Sequence, residues 1–168
     1  MRALARLVWF IVAASILSGC GFRMRGADGS YSMPFQSIYI GLPDTSPLGA
    51  QLKRNLRSTD RVAIAERASD ADVQLVVLSE QQGRQILSLN SLGRAREYLL
   101  TYTLTFTIRD RNGAQLLAPT PIPLRRNMAF DETQVLAKES EEALLYRDMQ
   151  ADIVQQIIRR LAAMKPAT

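Results

Sequence analysis

The chain has no histidine and a single cysteine in 168 residues. Without histidine it cannot assemble a Ser-His-Asp or Cys-His nucleophile system, and no imidazole is available to hold zinc. One cysteine cannot close an internal disulfide, so the fold must be held by its core alone. Nine glycines and seven prolines are too few for collagen or a low-complexity chain, and 47% apolar against 22% charged residues argues against wholesale disorder. The uncharged run at 7–22, LVWFIVAASILSGCGF, is sixteen residues long. A helix crossing a bilayer needs about 20, so this run is short for a permanent membrane span. No G-x-S-x-G, P-loop, G-x-G-x-x-G, HExxH or EF-hand spacing occurs. Asp110-x-Asn112-Gly113 resembles a fragment of a calcium loop but lacks its acidic first and last ligands, and no metal site is expected.

What is present begins at the N-terminus. Arg2 and Arg6 precede the apolar run, which ends in small residues, and this order reads as an export signal. Leu17-Ser18-Gly19-Cys20 resembles the lipobox of bacterial lipoproteins. That resemblance implies a signal peptide at 1–19 and a diacylglycerol on the Cys20 thiol. It also implies an N-acyl chain on the new N-terminus. Gly21 stands where an Asp would resemble an inner-membrane retention signal, so the implied destination is the outer membrane. Removal of 1–19 takes Arg2 and Arg6 with it, leaving 19 basic residues against 16 acids, a net charge of +3. All but Lys53, Lys138 and Lys165 of those cations are arginines, the side chain best suited to bidentate phosphate contacts. Acidic lipid head groups are therefore plausible partners. Nucleic acid is not, because no basic stripe is interleaved with aromatics.

Residues 20–168 read as one domain, with 20–35 a polar tether and 36–165 the folded body. Residues 36–41, QSIYIG, form a short apolar strand closed by turn chemistry at Leu42-Pro43-Asp44. Ser46 is a helix N-cap with Pro47 at the first helical position. Leu48, Leu52 and Leu56 then recur every four residues, with Lys53, Arg54 and Arg57 off that stripe. Residues 62–65 make a second short strand, parallel to the first if the helix is a crossover. Apolar runs follow at 73–78 and, beyond Gly83, at 86–89. Residues 97–109, EYLLTYTLTFTIR, alternate with a strict period of two: Tyr98, Leu100, Tyr102, Leu104, Phe106 and Ile108 share one parity, and four threonines share the other.

Asn112-Gly113 predicts a two-residue hairpin loop, and 114–130 predicts the returning strand. Its prolines at 119, 121 and 123 suit an edge or a bulge better than a central strand. A final helix carries Glu139, Glu141 and Glu142 in its first turn and Arg159, Arg160 and Lys165 in its last. Leu145, Met149, Ile153, Ile157 and Leu161 form its core stripe, and Pro166 ends it. The predicted fold is α+β: a two-layer sandwich with a mixed, mostly antiparallel sheet of about four strands covered by two helices.

Nothing in this pattern assembles a catalytic site. Asp131, Glu132 and the Glu139–Glu142 group read as helix-entry acids, and Tyr98, Tyr102 and Phe106 as core. Four segments in order instead resemble the LPS-assembly lipoprotein LptE family. They are Cys20-Gly21-Phe22-Arg23-Met24-Arg25-Gly26; PLGAQLKRNLR at 47–57; Ala95-Arg96-Glu97-Tyr98; and Phe130-Asp131 with Leu136-Ala137-Lys138, Met149 and Ile157-Ile158-Arg159-Arg160-Leu161.

The resemblance covers nearly all of the chain after Cys20. It implies a non-catalytic outer-membrane lipoprotein on the periplasmic side, with no cofactor beyond its acyl chains. It further implies a 1:1 complex that plugs the LptD β-barrel, help in assembling that barrel, and lipopolysaccharide binding for delivery to the outer leaflet. Lys138 matches the family's basic position at the start of the last helix. Arg94 and Arg96 match its loop more loosely, Ser91 standing where a basic residue is expected. These three are the implied lipopolysaccharide contacts, and Arg23 and Arg25 lie membrane-proximal. Two rival readings stand beside it: a lipoprotein of a phospholipid-transport complex, with a similar small α+β body, and a structural or envelope-enzyme role such as binding or trimming peptidoglycan.

Overall fold

Strict alternation along an extended chain puts one apolar face against whatever will bury it. In the computed structural model, which describes residues 33–58 and 62–164, the alternating stretch lies in a central strand. The elements are β1 (Ser37–Gly41), α1 (Pro47–Arg57), β2 (Ala63–Ala65), β3 (Val73–Leu89), β4 (Ala95–Asp110), β5 (Gln115–Ala129) and α2 (Val135–Ala162). Single 3₁₀ turns occupy Ala68–Asp70 and Glu132–Gln134. The strands form one sheet in the order β2-β1-β3-β4-β5. β1 runs parallel to both its neighbours, and β3, β4 and β5 are antiparallel. The fold is the expected α+β arrangement, with five strands where about four were expected.

The leucine stripe of α1 is buried, as are Met149, Ile153, Val154, Ile157, Ile158 and Leu161 of α2. They join Leu100, Tyr102, Leu104, Phe106 and Ile108 of β4 in one core. Ser46 caps α1 by accepting from the Gly49 N–H at 3.1 Å, and Pro47 occupies the first turn as expected. On the opposite parity of β4, Thr107 is buried and donates its hydroxyl to the Leu117 carbonyl at 2.7 Å.

Three local expectations are corrected. The runs at 73–78 and 86–89 are not separate: β3 continues through Gly83, which pairs with Thr101. A Cβ on Gly83 would stand 2.9 Å from the Thr101 hydroxyl, so the strand passes there because the residue has no side chain. The turn enclosed by the Asp110–Ala114 pair between β4 and β5 holds three residues, 111–113, rather than two. Asp110 N–H donates to the Ala114 carbonyl at 2.8 Å, and Gly113 takes a left-handed φ of 85°. Finally, α2 begins at Val135, so Glu139, Glu141 and Glu142 fall beyond its first turn and that turn contains no acid. Cys20, Arg23, Arg25, Lys165 and Pro166 lie outside the described residues.

β5 is an edge strand, as its prolines predicted. Pro121 and Pro123 stand opposite Thr105 and Thr103. An unbroken ladder at those positions needs their donor-less nitrogens on the outer side.

The start of β1 is clasped by Asp72. Its carboxylate accepts from the N–H groups of Gln36 (3.1 Å) and Ser37 (2.9 Å) and from Arg111 Nη2 (3.2 Å), while its own N–H donates to Ser37 Oγ at 2.9 Å. Partial burial pulls the carboxyl upward, but Ser37, the two backbone donors and Arg111 outweigh it and hold it below its ordinary 3.8. A depressed folded-state value means that the contribution is present above the unfolded value and lost as pH falls through the folded one. Asp72→Asn is therefore expected to lower stability by about 1 kcal/mol at neutral pH. The gap between variant and parent should close in acid. Thermal melts across pH 7 to about pH 3 check this, and a constant gap would sink it.

Candidate functional site

The far ends of β3, β4 and β5 meet the start of α2, and the predicted cations collect there. The β3–β4 loop is a tight three-residue connection like the other hairpin. Asn90 N–H donates to the Arg94 carbonyl (2.8 Å), and Asn90 Oδ1 accepts from the N–H groups of Leu92 (2.9 Å) and Arg94 (3.0 Å). Gly93 supplies the left-handed residue, with φ 76°. This loop presents Arg94 to the turn before α2, where Arg94 Nη1 pairs with Glu132 Oε2 at 2.6 Å.

The same turn is built by Asp131, which accepts from the N–H and hydroxyl of Thr133 at 2.9 and 2.8 Å. The Thr133 N–H first, then its hydroxyl, with a smaller contribution from Lys138, hold the Asp131 carboxyl below 3.8. Lys138 itself pairs with Glu141 one turn along α2, at 2.7 Å, with its side chain only 19% exposed. Arg94 and Lys138 thus flank one turn, although 44 positions apart in sequence. Arg96 lies in β4, where its carbonyl accepts from the Phe130 N–H at 2.8 Å. Its side chain is exposed and has no ion-pair partner among the described residues.

Lys138 occupies the first turn of a 28-residue helix. The unpaired N–H groups there carry partial positive charge, so a cation is disfavoured and an acid expected. Two leucines sit two residues before the two paired cations: Leu92 is 76% exposed and Leu136 is 80% exposed. Large apolar side chains so open at a polar turn gain nothing for the fold.

Behind this corner an aromatic clasp ties the projecting hairpin to α2. The rings of Tyr98 and Phe130 meet edge to face with centroids 5.0 Å apart. The Arg84 guanidinium lies 4.8 Å over Tyr98 and pairs with Glu142 at 2.7 Å, and Tyr146 donates its hydroxyl to the Gly83 carbonyl at 2.8 Å. Tyr98 is half-buried, unlike Tyr102 and Phe106, which are fully buried. The Tyr102 hydroxyl donates to the Glu80 carboxylate. Burial first, and Glu80 second, push that phenol well above its ordinary range.

The sequence model of the family described as "LptE: Lipopolysaccharide-assembly" matches residues 35–161. The chain belongs to the LptE family. A relative in Pectobacterium atrosepticum, called LPS-assembly lipoprotein LptE, is 27% identical over 154 residues, covering 89% of this chain and 80% of that one. A solution structure of an uncharacterised lipoprotein B from Nitrosomonas europaea superposes with a TM-score of 0.72 at 35% identity, covering 85% of this chain and 91% of that one. The rare lipoprotein B of Shewanella oneidensis matches with a TM-score of 0.66 at 26% identity, over 76% and 94% of the two chains.

Against this LptE-family fold, the residues suggested by resemblance are partly brought together. Arg94 and Lys138 share a turn, and Arg96 borders it from β4. From the sequence, Glu132, Glu141 and Glu142 read only as helix-entry acids, and their pairing with Arg94, Lys138 and Arg84, like the exposure of Leu92 and Leu136, was not foreseen. Their signal was weak but present: a leucine two positions before each paired cation.

Proposed function

We propose that this protein is a non-catalytic, outer-membrane LPS-assembly lipoprotein. It plugs the LptD barrel in a 1:1 complex from the periplasmic side, assists its assembly, and binds lipopolysaccharide on its way to the outer leaflet. The observation that carries the binding role is Lys138, a cation in the first turn of α2, beside Arg94 and two exposed leucines. A cation placed against the helix dipole, matched in the fold by Glu141 and by a smaller attraction to Asp131, points to a ligand beside it. The chemistry fits an anionic amphiphile, with phosphates on the cations and acyl chains against Leu92 and Leu136.

The plug role draws support from shape. β3 alone has 17 residues, which at about 3.3 Å each span roughly 55 Å, more than a hydrocarbon layer of about 30 Å. Its middle stretch, residues 79–85, is mostly polar and exposed, suiting a polar barrel lumen, and Ile86, Leu87 and Leu89 beyond it are exposed apolar side chains. Acyl chains on Cys20 hold the protein at the membrane, and Arg23 and Arg25 meet head groups beside them. Two or more chains give stable anchoring.

The test is mild-detergent purification of the tagged protein from envelopes, with mass spectrometry of what elutes. A stoichiometric large β-barrel that survives high salt is expected. Recovery with phospholipid-transport subunits, or with purified sacculi and no barrel, would overturn the plug role. In parallel, Cys20→Ala is expected to move the protein out of the membrane fraction, and retention there would argue against lipid anchoring.

A further inference from the structure

Both paired cations of the corner are already occupied by carboxylates from this chain. Arg94 is held by Glu132 across 38 positions of sequence, and Lys138 by Glu141 on its own helix. We infer that Glu132 and Glu141 are specificity-determining residues: they fill the two anion seats in the free protein, so that only a ligand carrying two phosphates displaces both. This rests on the reading of the corner as a lipopolysaccharide site.

The argument is one of competition. Both pairs reach solvent, Arg94 and Glu132 at 60% and 44% and Glu141 at 45%, while Lys138 is 19% exposed. Pairs of this kind are weak and exchange readily. A ligand carboxylate that replaces a protein carboxylate makes the same bond it breaks and gains little. A phosphate monoester brings more charge and three acceptor oxygens, and it wins the exchange. A ligand with one phosphate can free one seat only, and it then lies beside the other seat's glutamate, still in place and repelling it. The displaced glutamates stay close by, with Asp131 and Glu139 nearby in the chain. Every anion therefore enters against a fixed negative background, which two phosphates overcome and one does not.

The experiment compares binding of the full protein to micelles of bis-phosphorylated lipid A and of its monophosphoryl form. The variants are E132Q/E141Q, which keeps shape and removes the competing charge, and R94Q/K138Q, which removes the seats. E132Q/E141Q is expected to tighten binding of the bis-phosphorylated form about three- to tenfold, with a larger gain for the monophosphoryl form, so that the ratio between them narrows. R94Q/K138Q is expected to weaken both.

If E132Q/E141Q leaves affinity and ratio unchanged, or lowers them, while R94Q/K138Q weakens binding, the glutamates are ordinary surface partners. The inference then falls and the binding site stands. If R94Q/K138Q binds as the parent does, the site itself is wrong and the inference falls with it. Melting curves of both variants guard against a folding defect, since losing exposed pairs should move them little.

Discussion

Phe106→Ala is expected to destabilise the fold by about 3–5 kcal/mol, lowering the melting temperature by roughly 10 °C. Phe106 lies in β4, fully buried, with strands on both sides and helices over its face. Such a site cannot collapse around a missing ring, so the lost transfer energy is joined by a cavity cost. The ring also faces a charge. The Arg160 guanidinium lies 5.8 Å from its centroid, and Arg160 Nη1 is buried without a hydrogen-bond partner among the described residues. The ring face is thus part of that cation's compensation.

Phe106→Leu separates the two contributions, since it keeps most of the volume and removes the π face. Thr105→Ala, one residue away on the opposite parity and only half-buried, should cost no more than about 1 kcal/mol. Equal losses at 105 and 106 would mean that both faces of β4 are core, contrary to the packing described.

Reversing the three candidate cations together, R94E/R96E/K138E, is expected to weaken binding to purified lipopolysaccharide by about ten- to a hundredfold. Each charge-assisted contact to phosphate is worth about 1.5–3 kcal/mol before discounting for solvent, and that range of affinity needs only one or two of them. Reversal also places Glu against Glu132 and Glu141, which opens the corner electrostatically. The fold should survive, because Arg94, Glu132 and Glu141 are exposed and Lys138 is half-buried at the surface, and pairs of this kind contribute about 1 kcal/mol at most. The matched control is R54E/R57E/R147E, which changes net charge equally on the exposed surfaces of α1 and α2, away from the turn at Glu132–Gln134. If both triples lose affinity alike, attraction is a matter of bulk charge. If neither does, the corner is not the site.

Much of the fold was readable from spacing. Ser46-Pro47 followed by leucines at 48, 52 and 56 specifies α1 locally, because cap, φ-locked proline and buried stripe agree. β4 declares itself through parity because one of its faces is wholly buried. The second half of β3 does not, for a physical reason: residues 79–85 are mostly polar on both faces and are held by the backbone ladder to β4 rather than by a core. Hydrophobic periodicity reports burial, and where pairing alone makes the strand there is little to read.

The start of α2 was placed too late because acids usually open helices, and here Asp131 and Glu132 sit in the preceding 3₁₀ turn instead. The candidate site was legible only through family resemblance. Nothing local to Arg94 announces that a turn 38 residues on will bring Glu132 to it, and the sequence around Lys138 shows only an i,i+3 partner in Glu141, not a ligand contact.

The outer edge of β5 has a chemical direction. Pro121 and Pro123 remove two N–H groups within three residues, while their carbonyl oxygens remain. An incoming strand presents donors and acceptors in alternation, and along this stretch its own acceptors would go unmatched. A side chain that only donates, such as arginine or lysine, loses nothing in the same place. The edge therefore discriminates by hydrogen-bond polarity. It refuses a second copy of itself, halting strand-by-strand growth of the sheet on this side, and leaves its carbonyls to whatever surrounding wall supplies donors alone.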